Sequence, residues 1–304
     1  MTRVLMPFPA DAALAGTMNQ AMQARIAPVA WRHFPDGESL VTLDDALAGA
    51  DVAILASLRH ADALALPLRF AARTAREFGA RSVGLIAPYL GYMRQDKRFH
   101  GGEAVSTPLF AQFLEEAFDW LVTVDPHLHR VERLQSLYQM PTAHVSATPA
   151  MARWIAETVP DAVLIGPDSE SEQWVADIAA RSGMPWQVLA KERHGDYDVR
   201  VSLPDPAAVA GRTPVLIDDI VSSGHTILET LAHLRRLSLP SPLLVAIHPV
   251  FAGDAYARLQ EAGLARIVST DTISHPSNAI ALGADLAAAA STLMTASTDS
   301  PEDP

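Results

Sequence analysis

Short apolar runs alternate with longer amphipathic stretches along this chain. Residues 52–57, 82–87, 120–124, 162–165, 214–217, 243–247 and 266–269 read as buried strands, because near-continuous apolar runs leave no face for water. Residues 62–78, 107–118, 151–157, 171–181, 226–237 and 254–262 carry the wider spacing of helices. Strand and helix in regular turn predict parallel sheets with helices on both faces. These units outnumber the strands of one small doubly wound sheet. A division in the Pro- and Thr-containing stretch 141–149 therefore separates residues 1–145 from 146–295. Residues 1–8 read as a short strand, without a signal peptide's charged and apolar segments. Residues 296–304 are polar and acidic and read as a disordered tail.

Composition fits that division. Of 304 residues 49% are hydrophobic, enough for two cores. No apolar run reaches membrane-spanning length. The absence of Cys excludes a disulfide framework, a thiolate nucleophile and a Cys-based metal site, so a cytoplasmic enzyme is the default expectation. A net charge of −12 disfavours nonspecific binding to nucleic acid or anionic membranes. Phosphate chemistry in so acidic a chain requires local Lys and Arg together with a metal ion.

The chemistry concentrates at residues 215–227, Val-Leu-Ile-Asp-Asp-Ile-Val-Ser-Ser-Gly-His-Thr-Ile. An apolar run ends in Asp218 and Asp219, passes through Ser222, Ser223 and Gly224, and enters a helix at His225 and Thr226. Unpaired amides at a helix N-terminus favour a phosphate, hydroxyls add donors, and Gly lets the backbone approach closely. The two acids stand where a ligand's hydroxyls could be held, so a sugar phosphate suits the segment. A Ser-capped helix after an acidic turn is the plainer alternative.

Other segments divide in the same way between chemistry and ordinary structure. Arg94, Gln95, Asp96, Lys97 and Arg98 follow strand 82–87, where open α/β sheets place ligands, though a basic run is commonly a solvated loop. Phe34-Pro35-Asp36-Gly37-Glu38 is by itself a turn. His127 and His129 follow strand 120–124, and Asp168 ends strand 162–165 as a hard-cation ligand or a helix cap. Lys191 and Arg193 lie in a charged stretch that reads first as a mobile loop. Lys there offers phosphate a point charge, and Arg a fork.

Taken in order from Phe34 to Ile273, these segments resemble the ribose-phosphate pyrophosphokinases of the type I phosphoribosyltransferase superfamily. The carriers are Phe-x-Asp-Gly-Glu at 34–38, Pro-Tyr-x-x-Tyr-x-Arg-Gln-Asp at 88–96, Asp-x-His at 125–127, Pro-Asp at 167–168, Lys-x-Arg at 191–193 and the Asp-Asp loop. The resemblance implies an α/β fold of two similar doubly wound parallel-sheet domains of phosphoribosyltransferase type, with ATP on the N-terminal side. It implies that Phe34, Asp36, Glu38, Arg94, Gln95, Asp96 and His127 meet ATP. Ser222, Ser223, Gly224, His225 and Thr226 would hold the 5-phosphate of ribose 5-phosphate, with Asp218 and Asp219 on its hydroxyls. Mg²⁺ would lie near His127 and Asp168, and Lys191 and Arg193 would neutralise the migrating diphosphoryl group. The implied partners are ATP and ribose 5-phosphate, in a homo-oligomer of two or more copies.

The chain departs from the family pattern at His225, where Gly or Lys is usual, at Ser169–Trp174, where Gly-Gly is usual, and at Asp271, where Asn is usual. A phosphoribosyltransferase consuming phosphoribosyl diphosphate shares the loop but needs no ATP segments. A non-catalytic regulatory homologue is the other alternative.

Overall fold

In the computed structural model, which describes residues 2–128, 133–189, 191–193, 199–201, 209–235 and 239–296, the apolar runs become the inner strands of two sheets. The first strands in chain order are β1 (Arg3–Pro7), β2 (Arg25–Ile26), β3 (Ala30–His33), β4 (Ser39–Thr42), β5 (Asp51–Leu55), β6 (Ser82–Ala87), β7 (Leu121–Val124) and β8 (Thr142–Val145). There follow β9 (Ala162–Gly166), β10 (Trp186–Val188), β11 (Lys191–Arg193), β12 (Val199–Val201), β13 (Thr213–Ile220), β14 (Leu243–His248), β15 (Arg266–Thr270) and β16 (Asn278–Ile280). The expected tail beyond Ala296, and His129, lie outside the described residues.

One sheet has the order β2-β1-β5-β6-β7-β8 and the other β10-β9-β13-β14-β15-β16. All their pairings are parallel. Each winding places its second strand outermost, its first beside it, and the rest in sequence on the other side. In each, an antiparallel hairpin follows the second strand, β3–β4 in one and β11–β12 in the other. The two halves therefore share one topology, a likeness with no literal repeat in the residues.

β5, β6, β9 and β14 are buried along their whole length, as central parallel strands covered on both faces must be. Helices Ala12–Met22, Ala61–Glu77 and Ser106–Glu115 belong to the first sheet. Glu172–Ser182, His225–Leu234 and Ala255–Glu261 belong to the second. In the first core Val52, Ile54, Leu68 and Leu85 pack with Leu114 and Leu121. Leu216, Leu244, Ile227, Leu231 and Leu259 form part of the second.

The chain crosses back at its end. Thr272–Ser274 and helix Gly283–Ala296 join the unit that ends at Val145, while Ser146–Asp271 and His275–Ala281 form the other. Gly283 permits the return, since a Cβ there would fall 2.1 Å from Thr17 Oγ1. Arg3 Nη2 donates to Thr295 Oγ1 at 3.1 Å on the same face.

Close approach is tighter still inside the first sheet. A Cβ on Gly84 would meet Trp120 Cε2 at 1.9 Å, and Trp120 is fully buried. Gly84→Ala should therefore destabilise the protein by about 1–3 kcal/mol through overpacking. Thermal unfolding checks this, and an unchanged midpoint would contradict it.

Candidate active site

Parallel sheets bind ligands where the strand order reverses, at the carboxyl ends of the two strands flanking the reversal. In the second unit those strands are β9 and β13, paired in register at Leu216 and Ile165. β9 ends at Gly166, two residues before Asp168. β13 keeps its strand conformation through Asp218 and Asp219, so an apolar strand carries both acids to that edge. Asp219 is 5% exposed and accepts the Ile220 amide at 2.8 Å. Asp218 keeps some surface, but its carboxyl is enclosed. Burial pushes it well above the usual carboxylate range, and the charges of Asp219, Asp168 and Glu170 push it further.

Beyond β13 the chain turns through Val221–Gly224 into helix His225–Leu234. Gly224 takes φ +71°, and its bare Cα faces Leu259, where a Cβ would meet a methyl at 3.0 Å. No side chain caps this helix from Gly224. His225 N donates to Ser223 Oγ at 3.5 Å, and Ser222 and Thr226 are partly buried beside it. A long helix thus begins on glycine amid hydroxyls, as an anion site requires. His225 itself points to solvent and pairs with Glu229 at 3.1 Å, one turn along.

Asp168 does cap a helix. Its Oδ1 accepts the Glu170 amide at 3.1 Å, and Ser171 Oγ donates to the Asp168 carbonyl at 2.6 Å. The capping turn and the acidic cluster are the same feature, because the turn brings Asp168 and Glu170 to Asp218. Sequence reasoning does not single out Glu170, although an acid two residues after a capping Asp was a visible signal. Among the described residues no three His or carboxylate side chains converge to hold an ion unaided. Mg²⁺ needs no such cage, because it binds through one or two carboxylates plus substrate phosphates.

Lys191 and Arg193 form the ends of β11, paired with Val201 and Val199. This corrects the expectation of an open loop there, since alternate Val residues in the partner strand favour pairing. Residues 194–198 between the two strands lie outside the described residues.

In the first unit, Arg94, Gln95 and Asp96 follow β6, and His127 follows β7, at the carboxyl edge of the sheet. The neighbouring helix pins the first of these loops. Thr107 Oγ1 donates to the Tyr92 carbonyl at 2.7 Å, and Ser106 Oγ donates to Gln95 Oε1 at 3.1 Å. Arg94 stays exposed. A cavity of about 480 Å³ opens beside Tyr89 and Tyr92, bounded also by Arg59, His60 and Asp62. Phe34, Asp36 and Glu38 occupy the exposed tip of the β3–β4 hairpin. Asp36 Oδ1 accepts the Glu38 amide at 3.1 Å, and Gly37 turns the chain at φ +93°. The guanidinium of Arg32 lies 4.8 Å from the Phe34 ring centre.

The first unit's own strand-order reversal, between β1 and β5, is built differently. Asp11 is 4% exposed and accepts the Ser57 amide at 3.0 Å, and burial pushes its carboxyl up to about 6. Ala56-Ser57-Leu58-Arg59-His60 stands where the other unit has its acid pair and hydroxyl loop. Among the described residues, the acid pair and hydroxyl loop stand at the reversal of the second unit and not at that of the first.

Known proteins carry the same architecture. Residues 143–283 match the phosphoribosyl transferase domain, and residues 4–117 match the N-terminal domain of ribose phosphate pyrophosphokinase. Fold and loop thus define a two-unit protein of the phosphoribosyltransferase class. The ribose-phosphate pyrophosphokinase of Methanopyrus kandleri is 31% identical over 282 residues, covering 92% of this chain and 96% of that protein. That of Halobacterium salinarum is 34% identical over 264 residues, covering 86% and 90%. The crystal structure of phosphoribosylpyrophosphate synthetase from Mycobacterium smegmatis superposes with a TM-score of 0.82 at 25% identity, covering 99% of this chain and all of that one. The chain belongs to the ribose-phosphate pyrophosphokinase family.

The acidic cluster yields a stability prediction. A carboxyl whose proton affinity rises on folding favours the folded state while protonated, and loses that contribution as pH rises through its raised pKa. Asp218→Asn should therefore raise the thermal midpoint at neutral pH, and the gain should shrink towards acid pH. Each tenfold change in proton affinity corresponds to about 1.4 kcal/mol. Calorimetry across that range checks the sign, and a lower midpoint at neutral pH would refute the repulsion.

Proposed function

We propose that this chain is a ribose-phosphate diphosphokinase. It transfers the β,γ-diphosphoryl group of ATP to O1 of ribose 5-phosphate, giving phosphoribosyl diphosphate and AMP. The observation that carries this reading is the acid pair leading into a glycine-started helix at the strand-order reversal of one unit alone. The 5-phosphate would rest on the amides and hydroxyls of Ser222–Thr226, with Asp218 and Asp219 accepting from the ribose hydroxyls. In the reaction O1 loses its proton and bonds to the β-phosphorus. The bond from that phosphorus to the α,β-bridging oxygen breaks, and AMP leaves.

ATP is assigned to the first unit, on Arg94, Gln95, Asp96 and His127, with Phe34, Asp36 and Glu38 of the hairpin tip on the nucleoside. A cavity lined by Arg59, His60, Tyr89 and Tyr92 opens at the start of the loop that carries Arg94. The exposed tip supports a homo-oligomer in which Phe34 of one copy reaches the nucleotide of another.

Mg²⁺ fits the second unit's donor set. Carboxylate oxygens suit a hard cation; burial first, and then the charges of Asp219, Asp168 and Glu170, raise Asp218, and a cation would offset the second of these. Asp168 would hold the ion, with His127 on the triphosphate oxygens rather than as a strong ligand, since Mg²⁺ prefers oxygen. Bound there, it would polarise the attacked phosphorus. Lys191 and Arg193 would neutralise charge growing on the transferred group. The catalysis asked of the protein is therefore positioning and charge neutralisation, without a covalent intermediate.

Incubation with ATP and ribose 5-phosphate should release AMP only when both are present. Release of diphosphate from phosphoribosyl diphosphate and a base, without AMP, would mark a phosphoribosyltransferase instead. Lys191→Ala should lower turnover by about 10²–10³-fold with ribose 5-phosphate binding nearly unchanged. Near-normal turnover in that variant would remove β11 from the mechanism.

A further inference from the structure

The loop assigned to the 5-phosphate is braced by a second loop, residues 249–253, which follows β14. Val221 N donates to the His248 carbonyl at 3.2 Å, Phe251 N to the Val221 carbonyl at 2.8 Å, and Ala252 N to the Ser222 carbonyl at 3.0 Å. The path of the phosphate loop is thus set by amides outside it. Within the 249–253 loop Phe251 takes φ +36°, a left-handed conformation that a bulky residue rarely adopts.

The Phe251 side chain is enclosed in a ring cluster. It is 3% exposed, and its ring centre lies 5.1 Å from Tyr256 and 4.7 Å from His275. Tyr256 and His275 meet edge to face at 4.6 Å, closing a cluster of three rings. His275 is anchored in turn. Its Nδ1 pairs with Ser277 Oγ at 2.8 Å, and its amide donates to Asn278 Oδ1 at 2.9 Å. Asn278 Nδ2 donates to Ser269 Oγ at 3.0 Å, so the cluster is tied to the β15–β16 edge of the sheet. A related brace serves the first unit, where Leu58 N donates to the Tyr89 carbonyl at 2.8 Å and Tyr92 takes φ +64°. In both units the loop after the third sheet strand is hydrogen-bonded to the loop after the fourth.

We propose that Phe251 is a positioning residue for the reaction. The Phe251–Tyr256–His275 ring cluster holds its backbone in the left-handed conformation, and the amides of Phe251 and Ala252 then aim the 222–226 loop at the 5-phosphate. The proposal rests on the reading of that loop as the ribose 5-phosphate cradle. No ring of the cluster is required to touch substrate.

The test is steady-state kinetics on the full-length enzyme, varying each substrate in turn. Phe251→Ala and His275→Ala should each raise KM for ribose 5-phosphate, the first by about tenfold, the scale of one lost loop hydrogen bond. KM for ATP should stay unchanged. His275→Phe, which keeps a ring against Phe251, should restore the wild-type value. Phe251→Gly accepts the backbone angle but lacks the ring, and should behave like Phe251→Ala. Should Phe251→Ala fail to fold, the His275 pair carries the test alone, because that residue is only partly buried. Equal rises in both KM values, or no rescue by His275→Phe, would overturn the proposal.

The double variant Asp218→Asn with Asp219→Asn separates this proposal from the reading beneath it. If it raises KM for ribose 5-phosphate while the ring variants do not, the positioning role alone fails. If it leaves that KM unchanged, the cradle assignment fails as well.

Discussion

Carboxyl groups crowded at the ends of two neighbouring parallel strands are the constraint on which the rest of this structure turns. Asp218 is enclosed beside Asp219, Asp168 and Glu170, and both burial and repulsion drive it towards its protonated form. A chain selected for stability alone would not place them there, since apolar residues at those positions would pack without electrostatic cost. The arrangement makes sense when positive charge and hydroxyl donors arrive with the ligands. It also explains the surroundings. β9 and β14 are buried throughout, and so hold firm the strand that presents the acids.

The two halves show how separable scaffold and chemistry are. Both sheets are wound in one order and carry a hairpin after the second strand. At the equivalent reversal, however, one half fills the space with Asp11 on the Ser57 amide, while the other leaves an acid pair before a glycine-started helix. Fold alone would assign both halves the same ligand. The residues on the loops differ, and any assignment of ligands has to rest on them.

Much of the scaffold was legible because its strands are near-continuous apolar runs. β6 lies where the pattern put it, at Ser82–Ala87, and the helix expected from Thr226 begins one residue earlier, at His225. Two- and three-residue strands such as β2, β10 and β16 are too short to show a period, and they form only because a longer neighbour offers them a ladder. The Pro-Asp-Gly turn at 35–37 was readable as a turn, while the strands it joins carry too many polar residues to stand out. Lys191 and Arg193 read as loop residues because charge hides a strand whose pairing is supplied by Val199 and Val201.

By itself the sequence determined the alternation of strands and helices, the order of the candidate motifs, and the acid pair leading into a hydroxyl-rich turn. These are local matters, decided by hydrophobic period and by the backbone needs of Gly, Ser and Asp. Only the tertiary structure decided that Asp168 and Glu170 crowd Asp218, that Phe251 braces Val221, and that helix Gly283–Ala296 returns to the first unit. Each of these joins residues far apart in the chain. Such contacts depend on which strands lie side by side, and on where a missing Cβ lets two elements close, as at Gly283 against Thr17. No local pattern of residues encodes either.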